Sequence, residues 1–263
     1  MNTMNINTRS VIIPIEQLYT APEYQREHIN KRRVTYLVSN WDWNAYTPIK
    51  VCIRKNEPNK YFVVEGQHRV IAAKIQSFID LPAMIVETQS IAEEAALFRA
   101  VNGAGGSLRL NQYDEWKAAI IAEDDEITTL NNIITKYRFK ISWHSGDNHI
   151  TAVHSVKRLS KKYGVYIFDQ TLEIIRICYN GDSMALQGKF LTGLAHFLYS
   201  YIADENFDRK RIINTLRKTP CVDILRELNR KCTAGRFGAV ANEVFGDIYN
   251  SGLRNVNKLT LKA

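Results

Sequence analysis

The stretch Val63-Val64-Glu65-Gly66-Gln67-His68-Arg69-Val70-Ile71-Ala72-Ala73-Lys74 constrains this chain more than any other. Tyr61 to Val64 is aromatic and β-branched, which predicts a strand with a buried face. Gly66 lets the backbone turn with positive φ or lie close to a ligand. Val70 to Ile75 supplies good helix formers with an apolar side. The pattern therefore predicts strand, glycine turn and helix, with Gln67, His68 and Arg69 at the helix N-terminus, where unpaired N–H groups attract anions. Arg69 adds a planar fork suited to phosphate oxygens, and His68 a donor whose charge can vary. Glu65 has two readings. It is a base or magnesium ligand beside a bound phosphate, or it caps the helix and pairs with Arg69.

Organisation changes near residue 105. Pro14, Pro22, Pro48, Pro58 and Pro82 punctuate the first part, and only Pro220 follows. Residues 1–110 are expected to form an α+β domain, with strands at Val11–Ile15, Ile49–Arg54, Tyr61–Val64 and Ala83–Glu87. Helices are expected at Lys31–Trp41, Arg69–Phe78 and Ile91–Val101. Residues 111–263 are expected to form an all-helical domain, opening at Asn111 with an Asn cap and early acids. Gly103-Ala104-Gly105-Gly106-Ser107 is a hinge between the two, a loop closing on a ligand, or both.

The first 110 residues resemble the ParB/sulfiredoxin superfamily. The carrying elements, in family order, are Val11–Leu18, Tyr24-Gln25-Arg26, Thr47-Pro48-Ile49-Lys50-Val51, the Gly66-Gln67-His68-Arg69 turn, Leu81–Val86, Ala92–Phe98 and Asn102. The resemblance implies a ParB/sulfiredoxin-like domain that holds a nucleotide or phosphate through Gln25, Arg26, Gly66, Gln67, His68, Arg69 and Asn102. A nucleoside triphosphate and Mg2+ are the implied cofactors, with Glu65 as the metal ligand. Sulfiredoxins carry a catalytic cysteine where this chain has Gln67, so sulfinic acid reduction is excluded. Segregation-type ParB proteins carry Gly-Glu-Arg-Arg, and the Gln-His-Arg form is closer to the DGQHR branch found among phage and DNA-modification-associated proteins. Two functions stay open: a DNA-binding ParB-like protein of phage or plasmid origin, or an enzyme. The enzyme would be a ParB-like nuclease or NTPase, or a phosphotransferase resembling the serine-kinase branch, with Glu65 and His68 catalytic.

Charge bears on the choice of partner. The chain has 35 Lys and Arg against 27 Asp and Glu, a formal net charge of +8, which favours a polyanion. The basic residues are clustered at Arg26 to Arg33, Lys136 to Lys140, Lys157 to Lys162 and Arg209 to Lys218. A helix is expected over Ile150–Tyr163; within Thr151–Gly164, Val153, Val156, Leu159 and Tyr163 share one helical face, and Lys157, Arg158, Lys161 and Lys162 lie off it. This predicts either a DNA-contacting helix, such as the second helix of a helix-turn-helix, or a solvated amphipathic face. His144, His149 and His154 recur every five residues, a spacing that aligns no helix face, so a nucleic-acid-touching loop is preferred to a metal site. Cys52, Cys178, Cys221 and Cys232 show no paired spacing, and no apolar run approaches the length of a membrane span. A cytoplasmic protein of a bacterial or phage-infected cell is expected, with DNA as partner, nucleotide as a second ligand and no membrane; the resemblance allows a homodimer.

Overall fold

The computed structural model describes residues 8–103, 110–232, 236–254 and 258–261. The chain divides into two compact units, Met1–Thr128 and Thr129–Ala263. The first unit thus runs past the change of architecture expected near residue 105.

In the first unit, β1 (Thr8–Pro14), a 3-10 turn and β2 (Leu18–Tyr19) precede α1 (Lys31–Ser39). Then come β3 (Ile49–Arg54), β4 (Glu57–Glu65), α2 (Gln67–Ile75), β5 (Asp80–Val86), α3 (Ile91–Gly103) and α4 (Gln112–Ile121). The strands form one mixed sheet in the order β1-β5-β3-β4-β2. β3 pairs antiparallel with β4 and parallel with β5. Period-two alternation along these strands loads both faces with apolar side chains. Ile49, Val51, Val63, Leu81, Ala83 and Ile85 pack with Val70 and Ala73 of α2 on one face. Cys52, Phe62 and Val64 pack with Ala95 and Phe98 of α3 and Ala118 of α4 on the other. A helix layer on each side explains why these strands read as nearly continuous apolar runs.

Local sequence starts the helices. Asn30 caps α1 by accepting the Arg33 N–H at 3.0 Å, and Asn111 caps α4 by accepting the Asp114 N–H at 2.9 Å. Before α3, the Ser90 hydroxyl accepts the Glu93 N–H at 3.2 Å and Glu93 accepts the Gln89 N–H at 2.7 Å, a reciprocal cap. Glu94 does something else. Buried on α3, it accepts two guanidinium N–H groups of Arg54, at 2.9 and 3.0 Å, and the Tyr24 hydroxyl at 3.2 Å. Arg54 also reaches Glu23 at 3.2 Å and lies 3.7 Å from the Phe62 ring centroid.

The second unit is helical apart from one strand pair. Its helices are α5 (Asp125–Lys136), which begins before the division, α6 (Val153–Tyr163), α7 (Val165–Tyr179), α8 (Gly188–Tyr201), α9 (Arg209–Leu216), α10 (Cys221–Lys231) and α11 (Phe237–Asn250). α8 is apolar nearly all round and buried from Phe190 to Leu198 except at His196, as a central helix must be. β6 (Lys140–Ile141) and β7 (His149–Ile150) form a parallel pair where helix was expected to begin at residue 150. Long-range bonds hold this departure. Arg176 of α7 donates to the Tyr137 carbonyl at 2.7 Å and to Asn148 Oδ1 at 2.8 Å, and Asp147 accepts the Ser183 N–H at 3.2 Å. The link from α5 to α6 is therefore not the three- or four-residue turn of a helix-turn-helix. Gly164, with φ 87°, ends α6 and opens α7 directly. Among the described residues no helix is long and apolar enough to cross a membrane.

Removing one partner of the Arg54–Glu94 pair leaves a buried charge alone. Glu94→Ala should lower stability by about 3–5 kcal/mol in urea denaturation. Glu94→Leu combined with Arg54→Met should cost less than either single change. An equal or larger loss in the double variant would show that packing, not charge, dominates there.

Candidate functional site

Gly66 is the N-cap of α2 at φ 105°, ψ 15°, in the left-handed region. A Cβ at this position would overlap the Ile49 side chain and come within 3.2 Å of an Arg69 guanidinium nitrogen, so glycine is required twice over. The first intrahelical bond runs from the Val70 N–H to the Gly66 carbonyl at 3.0 Å, and no side chain caps the helix. The N–H groups of Gln67, His68 and Arg69 therefore precede the helical ladder.

Of the second reading of Glu65, a cap that also pairs with Arg69, the structure has the ion pair and not the cap. Glu65 Oε1 accepts from Arg69 Nη2. Arg69 Nη1 bonds the Thr47 carbonyl and also Thr47 Oγ1 at 2.6 Å, and the guanidinium lies 5.7 Å from the Tyr46 ring centroid. Tyr46 is held in turn by its hydroxyl on the Pro82 carbonyl at 3.0 Å. The fork expected to reach for phosphate is occupied in clamping the Tyr46–Thr47 segment to the glycine turn.

Gln25, Arg26, Gly66, Gln67, His68, Arg69 and Asn102 all border one cavity of about 380 Å³, with Glu65 among its walls. Gln25 is buried and donates its side-chain amide to the Val63 carbonyl, so its role is to position its neighbour. Arg26 donates to Asn102 Oδ1 at 3.3 Å, and Asn102 donates to the Phe98 carbonyl at 2.8 Å. His68 Nε2 accepts the Asn30 N–H at 3.2 Å, which fixes the proton on Nδ1. Burial first, then the charges of Arg26 and Arg33, push the His68 imidazole below the ordinary histidine range. It is a neutral ring in the field of two arginines.

Sequence reasoning missed two contributors. Asp114 of α4 is buried near Arg26; burial raises its carboxyl, opposed by the Asn111 amide, a backbone hydrogen bond with Glu27 and the Arg26 charge. One face of α1 also lines the cavity, through Arg33, Tyr36, Leu37 and Asn40. Their i, i+3, i+4, i+7 spacing was the available signal. Trp41, Trp43, Tyr46 and Phe78 form an aromatic cluster with ring centroids 5.2–5.4 Å apart, and Trp41 and Tyr46 reach the cavity wall. Packing is their first role. Ala104 to Ser107, the glycine-rich loop of the sequence reading, lie outside the described residues.

In the second unit, α6 buries Val153, Val156, Leu159 and Tyr163 and leaves Arg158, Lys161 and Lys162 exposed with Lys157 half-buried. Lys162 Nζ lies 5.0 Å from the Tyr163 ring centroid. The His144–His149 loop closes on itself, with His149 Nδ1 3.2 Å from the His144 carbonyl. Among the described residues no group of three His, Cys, Asp or Glu could hold a metal.

Two outcomes follow from the turn. Gly66→Ala should cost at least about 1 kcal/mol, from positive φ and the Ile49 overlap, with loss of the α2 N-terminus visible in amide exchange. His68 should titrate below about 6.5 by NMR. The unfolded chain then takes up this proton first as pH falls. The stability secured by keeping His68 neutral is complete above about 6.5 and is lost as pH falls through the lower folded value. His68→Gln should flatten that slope, and an unchanged slope would rule the assignment out.

The chain is similar to the C-terminally truncated chromosome-partitioning protein ParB from Caulobacter crescentus in complex with CTP-γ-S, at 16% identity and a TM-score of 0.31, over 90% of this chain and 98% of that one. The same protein on the centromeric parS site aligns at 17% identity and a TM-score of 0.35, over 79% and 97% of the two chains. The pNOB8-like ParB N-domain aligns at 14% identity and a TM-score of 0.38, over 92% and 98%. No curated protein matches the chain. A family model matches residues 19–255, nearly the whole chain, and the protein belongs to that family, DUF6551, a family of unknown function.

Proposed function

We propose that this is a ParB-like DNA-binding protein, of the kind carried by phages and plasmids, whose first unit binds a nucleoside di- or triphosphate at the Gly66 turn. One observation carries the reading: Arg26, His68 and Asn102 converge with an uncapped helix N-terminus on a single cavity. Unpaired N–H groups, a guanidinium and an amide at one place suit an anion with several oxygens. The cavity falls within the size range of small-ligand pockets.

Mg2+ fits this wall in one respect. With Glu65 Oε1 engaged by Arg69, the other carboxylate oxygen remains for an ion that takes most of its remaining ligands from phosphates and water. Bound there, the ion would neutralise phosphate charge. The same pairing counts against Glu65 as a general base, because the carboxylate is already held in an ion pair with Arg69. His68 has its Nε2 lone pair engaged by Asn30. Binding is thus favoured over hydrolysis or phosphotransfer.

The DNA surface is assigned to α6. Lys157, Arg158, Lys161 and Lys162 lie off its buried side, so they can meet successive phosphates without disturbing the core.

Calorimetry with the four nucleoside triphosphates and Mg2+ should detect binding that Arg26→Ala weakens by roughly tenfold or more. No heat and no thermal shift with any nucleotide would sink the nucleotide reading. For DNA, four neutralised phosphates give a log affinity against log salt slope of about 3.6, from about 0.9 per contact. Replacing the four basic residues with Gln should flatten that slope with little loss of stability. Equal affinity and slope in that variant would return α6 to a solvated face.

A further inference from the structure

We propose that the ligand lies along α1, with Arg33 as the second cation of its phosphate end and Tyr36 as the stacking surface for its base. This rests on the proposed nucleotide reading and gives that site a direction. Arg33, Tyr36 and Leu37 of α1, and Asn40 at its C-cap, border the cavity along one helix face. From Arg33 to Asn40 the helix rises about 10 Å, at about 1.5 Å per residue. That is enough to separate a phosphate from a base.

Charge orients the ligand. Arg33 and Arg26 are the two cations whose fields act on His68, so the Arg33 end of α1 faces the start of α2. Asn30 fastens the two together, accepting the Arg33 N–H through its side chain and donating its own N–H to His68. Arg69 is committed to Glu65 and Thr47. Arg33 instead rests over the Tyr36 ring, 5.5 Å from its centroid. Among the described residues it has no carboxylate in ion-pair contact, so a phosphate can recruit it without breaking such a bond. One turn further along α1, Tyr36 is 56% exposed beside the cavity. An exposed tyrosine next to an anion site provides a π-face for any base. Asn40 spends one amide N–H on the Tyr36 carbonyl at 2.9 Å, which leaves its oxygen to accept from a base edge.

The test separates the two ends of the ligand. The full chain is titrated with inorganic tripolyphosphate and with each of the four nucleoside triphosphates. Arg33→Gln should weaken both kinds of ligand by roughly tenfold or more, with Arg33→Lys intermediate because it keeps charge without the fork. Tyr36→Ala should weaken the nucleotides by roughly tenfold and leave tripolyphosphate unchanged. Far-UV circular dichroism of each variant checks that α1 still forms. Nucleotide binding that Arg33→Gln leaves at the wild-type level overturns this proposal while the nucleotide reading stands. A Tyr36→Ala loss shared equally by tripolyphosphate overturns the assigned direction. If the wild type binds none of these ligands, both readings fall together.

Discussion

The first unit is organised around the carboxylate of Glu94. Three segments remote in sequence meet on it: Tyr24 from the loop before α1, Arg54 from the end of β3, and α3 itself. A buried ion pair adds little net stability over apolar packing, since desolvation offsets most of the attraction. What it supplies is position. Once Arg54 and Glu94 leave water they are satisfied by each other, with Tyr24 on the carboxylate and Glu23 on the guanidinium. The loop carrying Tyr24 then has one arrangement on the sheet. Gln25 follows onto the Val63 carbonyl, and Arg26 is delivered to the cavity beside Asn102. Glu94 and Tyr24 are distant from the glycine turn in sequence, yet they determine which cation faces it.

At the turn, the charges divide by partner. Arg69 is neutralised by Glu65 and held by Thr47, so it acts as mechanical support for the left-handed glycine turn. Arg33, and Arg26 with Asp114 nearby, both act on His68 at the cavity. Their field has a measurable target, because the same charges that would attract a phosphate also lower the proton affinity of His68. A phosphate entering the cavity would cancel part of it, and His68 would recover basicity in proportion. If the proposed phosphate binds there, its uptake would raise the proton affinity of a ring that burial first, and then these two charges, hold low.

Much of the architecture was legible because its signals are local. Ile49–Arg54, a buried apolar run, matches the expected strand residue for residue. β4 was read short. Its polar start, Glu57–Lys60, is held extended by pairing with β3 across a register shift, a cross-strand cause that Tyr61–Val64 does not announce. β6 and β7 were missed for the same kind of reason: Arg176, thirty-five residues after Ile141, secures that region. The site divides similarly. The Gly66 turn can be read in twelve residues, because positive φ and helix polarity are properties of the chain itself. That Arg69 would be spent on Thr47, and that α1 would turn Arg33 and Tyr36 inward, depend on contacts between elements that no local pattern fixes.

The basic clusters show why a charge total underdetermines a partner. Four were visible in the sequence, and the structure sorts them by what each cation already holds. In the second cluster Lys136 pairs with Asp169 at 2.8 Å. In the fourth, Arg209 pairs with Glu173 at 2.6 Å, and Arg211 ties the end of α11 through the Tyr249 and Ser251 carbonyls. Those residues stabilise the fold, and drawing them onto a phosphate would sacrifice internal bonds. α6 differs. Its basic residues lie off the packed face of Val153, Val156 and Leu159, and Lys162 rests against the neighbouring Tyr163 ring. A polyanion can release counterions there without competing against the protein's own carboxylates. The disposition of partners, more than the net charge of +8, is what supports the proposal that α6 meets a phosphate backbone.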